Sequence, residues 1–452
     1  MALTEALANY IADMRYENIP EQVADLAKMA ICDFLGVAMA GRDLEGPRMV
    51  KEFVLEQRGF AECSIPGHGF KTSAQLSALL SGTMGHVLDY DDVAFVMRGH
   101  SGVIVMPVIW ALGDKYNITG KRAIEAFLVG FEVGAYIGKY VMAAKPGAAS
   151  WHYTKQVGVL CAAATAAKIM GLTVAQTRVA LGIAGSMSGG LKQNFGTMSK
   201  SLHAGLAAHD GIVAAMFAKK GFTADMNIIE AEQGLRSAFQ SGEPPTEEVV
   251  IDMINSGFWD ITSGGGIGFK MHPACYGGHN AMDAAIQLAE RENINPDDVE
   301  SILVEASESS MRGLFHHDPK TGLEGKFSLE FCVAVALSDR KAGLAQFTDE
   351  RVPSLVPLMK KVKLKSYEKL VADRENYQKV EITMKDGRVF TNTCEYPFGH
   401  PDNPVSWDGL LDKYRECVSL HFPQEDVAKS EEILVNLEKM EQFRELVTVF
   451  AK

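Results

Sequence analysis

Apolar residues recur at helical spacing through the first ~260 residues, with few alternating runs. Leu3, Ala6, Leu7, Tyr10 and Ile11 form one stripe, and Val23, Leu26, Ala27, Ala30, Ile31 and Phe34 a second. Lys121–Val141 and Gln156–Met170 give two more. Gly171-Leu172-Thr173 stops the last of these, and Thr173 is placed to cap a helix over Val174–Ile183. Alanine and glycine are dense in TKQVGVLCAAATAAKIMGL and ALGIAGSMSGG. Small side chains let helices approach closely, so these runs read as core.

The pattern changes at Gly264-Gly265-Gly266. Val299–Ala306 alternates in part, and Lys379–Met384, Lys385-Asp386-Gly387 and Arg388-Val389-Phe390-Thr391 spell strand, turn and strand. Helical stretches lie between them, at His279–Glu292 and Phe327–Leu337. After His400-Pro401-Asp402-Asn403-Pro404 the helical spacing returns, over Ser406–Val418 and Pro423–Leu437. The expected fold is mostly α with an inserted α+β domain. Residues 1–263 and 401–452 would build a large helical domain, and residues 264–400 a smaller α+β lid.

Composition narrows the function. The chain has 452 residues and a net charge of -13, which argues against a nucleic-acid or anionic-membrane partner. A locally basic pocket inside an acidic shell remains open to an anionic substrate. The start, MALTEALANYIADMRY, carries Glu5 and Asp13 and lacks a basic region followed by an apolar run, unlike a signal peptide. The richest apolar stretch, Val157–Leu172, is broken by Lys168 and does not reach the roughly 18–20 residues of a membrane span. Seven widely spaced cysteines form no CxxC pair. These features predict a cytoplasmic protein with reduced, mostly buried thiols and no zinc or iron–sulfur centre.

Five polar clusters interrupt the packed sequence. Gly85-His86-Val87-Leu88-Asp89-Tyr90-Asp91-Asp92 holds three carboxylates in four residues, which repel unless compensated; taken singly, each is as well read as a helix end or turn. Arg98-Gly99-His100-Ser101-Gly102 precedes the apolar Val103–Leu112 and suits either an anion site or a capping turn. Ser150-Trp151-His152-Tyr153-Thr154 precedes the alanine-rich helix. Lys200 and His203 open the helix Ala204–Lys219. Gly268-Phe269-Lys270-Met271-His272-Pro273-Ala274-Cys275, followed by His279, lies at the domain junction, where clefts form. Any one of these histidines or lysines reads more simply as structural; their recurrence at loop-to-helix junctions is what points to a site. There is no HExxH, and no GK[ST] follows the glycine triplet, so neither a metal nor a phosphate cradle is expected. Gly185-Ser186-Met187-Ser188-Gly189 has the wrong register for a GxSxG elbow.

Taken together these clusters resemble the MmgE/PrpD family. GHVLDYDD is similar to its H-x-x-D-[FY]-D-D element, and HYTKQVGVLCAAATAAKIMGL to its H-x-T-x-x-x-G element. TMSKSLHAGLAAHDGIVAAMFAKKGFTA, FKMHPACYGGHNAMDAA and GHPDNPVSWDGLLDKY resemble three more. The resemblance runs over almost the whole chain. It implies a helical domain, an α+β lid, a homodimer and a pocket between the domains. It also implies cofactor-free chemistry on a small di- or tricarboxylate: dehydration, decarboxylation or epimerisation. Asp89, His100, His152, Lys200 and Lys270 match residues that line the pocket of the family's decarboxylases. Arg98, His203, Tyr153, His279, Val93 and Cys275 are expected beside the substrate. Cys275 stands where the decarboxylases and methylcitrate dehydratases usually carry histidine. Val93 and Ser101 replace a threonine and a proline of the decarboxylases.

Such reactions move a proton at carbon next to a carboxylate, which requires a base and nearby cations. His152 is the expected base, His100 or Lys270 the opposing acid, and Asp89 an orienting carboxylate. Dehydration is the leading expectation, with epimerisation or decarboxylation as alternatives. A catalytically drifted carboxylate-binding protein and a metal-dependent lyase are the rival classes. Retention of Asp89, both histidines and both lysines argues against drift, since buried charges without use cost stability.

Overall fold

The structure is a computed structural model that describes residues 1–141, 150–240, 242–367 and 377–451. Its site rests on helices α1 (Glu21–Gly41), α2 (Ala74–His86), α3 (Gly102–Tyr116), α4 (Gly120–Val141), α5 (Gly158–Met170), α6 (Met198–Lys219), α7 (His279–Arg291), α8 (Leu329–Asp339) and α9 (Trp407–Val418). One hydrophobic core runs from Leu3 to Phe269 and takes in Val405 to Phe450 from the far end of the chain. A second runs from Ala274 to Cys394. The fold is mostly α with a smaller α+β part, as expected. Among the described residues, no helix is long and apolar enough to cross a membrane.

The small residues do what their size allows. A Cβ on Gly205 of α6 would lie 2.2 Å from the Leu79 carbonyl of α2, and one on Gly82 would lie 2.9 Å from Gly205 Cα. Only glycine permits this crossing. It sets the start of α6 against the end of α2, and so brings Lys200 to His86. The helix after α5 spans Val174–Ser186, capped as predicted: Gln176 N donates to Thr173 Oγ1 at 3.2 Å, and Thr173 N to Gln176 Oε1 at 3.0 Å.

Strands β1 (Val93–Ala94) and β2 (Ile267–Gly268) pair antiparallel and tie the acidic loop to the junction. The four-stranded sheet holds β3 (Val299–Ser307), β4 (Val362–Tyr367), β5 (Gln378–Met384) and β6 (Val389–Cys394) in the order β4-β3-β5-β6. The predicted hairpin is β5–β6, turning at Gly387 with φ +89°. Besides the β1–β2 pair, two strand features went unpredicted. One is β4, parallel to β3, in the lysine-rich segment VKLKSY. The other is a short antiparallel pair, Cys63–Ile65 with His68–Thr72, inside the helical part.

Candidate active site

The end of α2 delivers His86, fully buried, and the chain leaves it through Asp89 in the left-handed region (φ +52°), which an aspartate tolerates better than most residues. Lys270, two residues past β2, donates to Asp89 Oδ1 at 2.6 Å and to the Asp89 carbonyl at 3.1 Å. Lys200 in the first turn of α6 donates to the same Oδ1 at 2.9 Å and lies 3.1 Å from His86 Nε2. An ammonium can only donate, so His86 Nε2 is the acceptor and its proton sits on Nδ1, 3.0 Å from both oxygens of Asp91. Asp91 Oδ2 also lies 3.0 Å from His100 Nδ1. Asp92 turns the other way and caps α3, accepting from Gly102 N at 2.8 Å and from Ser101 Oγ at 2.6 Å.

His152 comes from a separate loop. Its amide donates to the Gly190 carbonyl at 3.0 Å, and Trp151 bridges Leu191. The GSMSGG run, wrong for a hydrolase elbow, therefore supports this histidine. The His152 ring stacks on His86 with centroids 5.6 Å apart and meets Phe195 edge-on at 5.0 Å. Its Nδ1 lies 3.0 Å from Nδ1 of His203, and its buried Nε2 has no partner among the described residues. Asp89 Oδ2 is likewise buried and unpartnered.

These groups face a cavity of about 310 Å³, at the small end of the ~300–1,000 Å³ typical of ligand pockets. All the site residues expected from the sequence line it except His203 and His279. His203 stands behind His152 instead of beside the cavity. His279 belongs to the first turn of α7, where its Nε2 lies 3.1 Å from the Ala274 carbonyl and its ring stacks on Tyr276. Tyr276 lines the cavity in its place. Residues given no role beforehand are His86 and Asp91, whose motif was visible, and Lys192, which lines the cavity. Lys326 is another, donating to the Leu88 carbonyl at 2.6 Å. Nothing local to Lys192 or Lys326 advertised them.

The cavity wall carries Arg98, Lys192, Lys200 and Lys270 against Asp89 as its only carboxylate among the described residues. Burial alone would raise the Asp89 carboxyl, but Lys200 and Lys270 outweigh it and hold it well below the usual range. Burial lowers Lys270, yet Asp89 and Asp91 more than restore it, so it stays charged. Burial and then Lys200 hold His152 well below the ordinary histidine value. Burial also takes His86 down to about 4, with Lys200 adding to it and Asp91 opposing. The Cys275 thiol is pushed up by burial and by Asp89. Burial, opposed by Asp89 and reinforced by Lys200 and Lys270, brings Lys326 to about 7. The arrangement is thus a ring of cations around neutral, buried imidazoles, suited to gripping carboxylates and moving protons beside them.

His86, Asp89 and His100 each offer a ligand atom within 4.8 Å of the others, close enough for one divalent ion. The Lys200 ammonium already occupies His86 Nε2 and Asp89 Oδ1, so this set does not fit a metal while Lys200 is present. Lys200→Ala is expected to lower turnover roughly 10²- to 10³-fold, as loss of a preorganised charge does. The same variant should gain zinc binding measurable by calorimetry. Tight zinc binding by the unaltered protein at this set would contradict the assignment.

The chain matches two family models in succession. The MmgE/PrpD N-terminal domain model covers residues 5–248, and the MmgE/PrpD C-terminal domain model covers residues 272–439. The chain belongs to the MmgE/PrpD family. Its similar proteins include the cis-aconitate decarboxylase of Mus musculus, 26% identical over 464 residues (98% of this chain, 92% of that protein). Those of Homo sapiens (26% over 461 residues; 99% and 94%) and of Aspergillus terreus strain NIH 2624 (26% over 464 residues; 97% and 94%) are equally similar.

Proposed function

We propose that this protein is an acid–base lyase acting on a small di- or tricarboxylate without a metal or organic cofactor. The carrying observation is the cavity wall, in which four cations and one carboxylate surround the unpartnered Nε2 of His152. Substrate carboxylates would be held by Arg98, Lys192 and Lys200. His152 Nε2 takes the proton from the carbon beside a carboxylate. The C–H electron pair passes into that carboxylate, where the lysine ammonium groups stabilise the second negative charge. For elimination, Lys270 or His100 then gives a proton to the departing hydroxyl, and the alkene forms.

Decarboxylation is the second reading, favoured by the names of the similar proteins. In it carbon dioxide leaves, and the same acid–base groups return a proton to carbon. Elimination is placed first because Val93, on the cavity wall, replaces the threonine of the decarboxylases, whereas Cys275 departs from decarboxylases and methylcitrate dehydratases alike. Ser101, the third, only helps Asp92 cap α3.

The site is tested by calorimetric titration with citrate, cis-aconitate and propane-1,2,3-tricarboxylate. At least one should bind once per chain, and Lys192→Met should weaken it about tenfold or more, the value of one charged hydrogen bond. Binding unaffected by Lys192→Met, or no binding of any of the three, would count against the assignment.

A further inference from the structure

His152 on the cavity wall and His203 behind it carry information about each other. Their Nδ1 atoms are 3.0 Å apart, so one nitrogen bears the shared proton and the other accepts it. His203 follows Lys200 by three residues on α6, on the side of His152 away from the cavity, and keeps 9% exposure. Gly190 makes room for the pair: its φ is +92°, and a Cβ there would fall 2.9 Å from Lys155 Cβ and 3.5 Å from His203 Nδ1.

Lys155, itself bonded to Asp210, opposes a positive charge on His203. Burial is the larger effect in the same direction, and with Lys155 and Lys200 it brings the pKa to about 4. His203 is therefore a neutral ring at pH 7, able to accept through one nitrogen and donate through the other. Its Nε2 has no protein partner among the described residues.

We infer that His203 is a positioning residue: its bare Nδ1 accepts the Nδ1–H of His152 and so keeps the lone pair of His152 on Nε2, facing the cavity. This rests on the reading of His152 as the base. If the base lone pair is on Nε2, the ring proton must be on Nδ1, and among the described residues its hydrogen-bond partner there is His203. Solvent does not compete for that proton, because His152 is 97% shielded and its Nδ1 already has this partner. Without His203 the proton would be free to shift to Nε2, leaving the ring in the form that cannot abstract a proton.

The test is two-bond nitrogen–proton NMR of protein labelled with ¹⁵N in its histidine rings. His152 is assigned by its disappearance in His152→Gln. In the unaltered protein His152 should show a protonated Nδ1 and a bare Nε2. His203→Asn puts an amide oxygen where Nδ1 stood and should keep that pattern. His203→Phe removes the acceptor and should shift His152 to the Nε2–H form or a mixture, with circular dichroism reporting the fold. A His152 pattern unchanged in His203→Phe overturns the inference and leaves the base assignment standing. Loss of the pattern in a folded His203→Asn would also overturn it. A bare Nδ1 in the unaltered protein overturns both the inference and the base assignment. Should His203→Phe fail to fold, His203→Leu serves as the second acceptor-free variant, read the same way.

Discussion

Turnover is expected to fall roughly 10²- to 10⁴-fold when His152 is replaced by alanine, with the substrate's KM changed far less. Carboxylate binding rests on Arg98, Lys192 and Lys200, which the substitution leaves in place, whereas the proton acceptor is removed. The imidazole is buried and its Nε2 has no partner among the described residues, so no bond among them competes with the substrate for it. The pH dependence follows from the same surroundings. Burial and Lys200 lower the His152 pKa, so the neutral, active ring persists below pH 6.5 and is lost only as pH falls through the lowered value. The acid limb of kcat/KM should therefore lie below the ordinary histidine range and be missing from the alanine variant's residual rate. Unchanged turnover in His152→Ala would sink the assignment.

The largest effect on stability is expected at Lys413, which does not itself line the cavity. Its ammonium donates to Asp33 Oδ1 at 2.6 Å, to the Tyr90 carbonyl at 2.7 Å and to the Lys270 carbonyl at 2.8 Å, and it lies 3.9 Å over the Tyr90 ring. Both members of the ion pair are buried. One lysine of α9 thus pins α1, the acidic loop and the strand end that carries Lys270. Lys413→Met leaves the Asp33 charge and two carbonyls without their donor, and should cost about 3–5 kcal/mol. Much of that loss should return in Asp33→Leu/Lys413→Met, since removing both charges removes the orphan. Urea midpoints of the two single variants and the double one measure it. A loss below about 1 kcal/mol in Lys413→Met would show that water reaches the pair.

Local signals were legible and long-range ones were not. The helical stripes, the Thr173 cap and the β5–β6 hairpin depend on spacing and turn chemistry within a dozen or so residues, and they appear where the pattern put them. β4 was missed because Lys363 and Lys365 are the outward half of an alternation whose inward half is only Val362 and Leu364. The short strands at Cys63 and His68 are too brief for a period to register. At the site, histidines and lysines breaking apolar sequence pointed to the cavity wall. His86 and Asp91 stood in view, but their work depends on Lys200, 114 residues from His86, which only the packing of α2 on α6 supplies. His279 illustrates the converse. Its place near Lys270 and Cys275 in sequence suggested the cavity, yet the turn at Tyr276–Gly278 sends the tyrosine to the wall and the histidine behind it.

The central claim is that the protein moves a proton at carbon beside a carboxylate with its own side chains. The direct measurement is proton NMR of citrate, 2-methylcitrate, cis-aconitate, itaconate, iminodisuccinate and tartrate, each incubated with the protein in deuterated buffer containing EDTA. The account predicts, for at least one acid, loss of the signal from a carbon-bound proton next to a carboxylate, accompanied by new alkene signals if elimination is the reaction. Reaction that stops when EDTA is added, or product formed with every such proton retained and no deuterium gained at carbon, would contradict it.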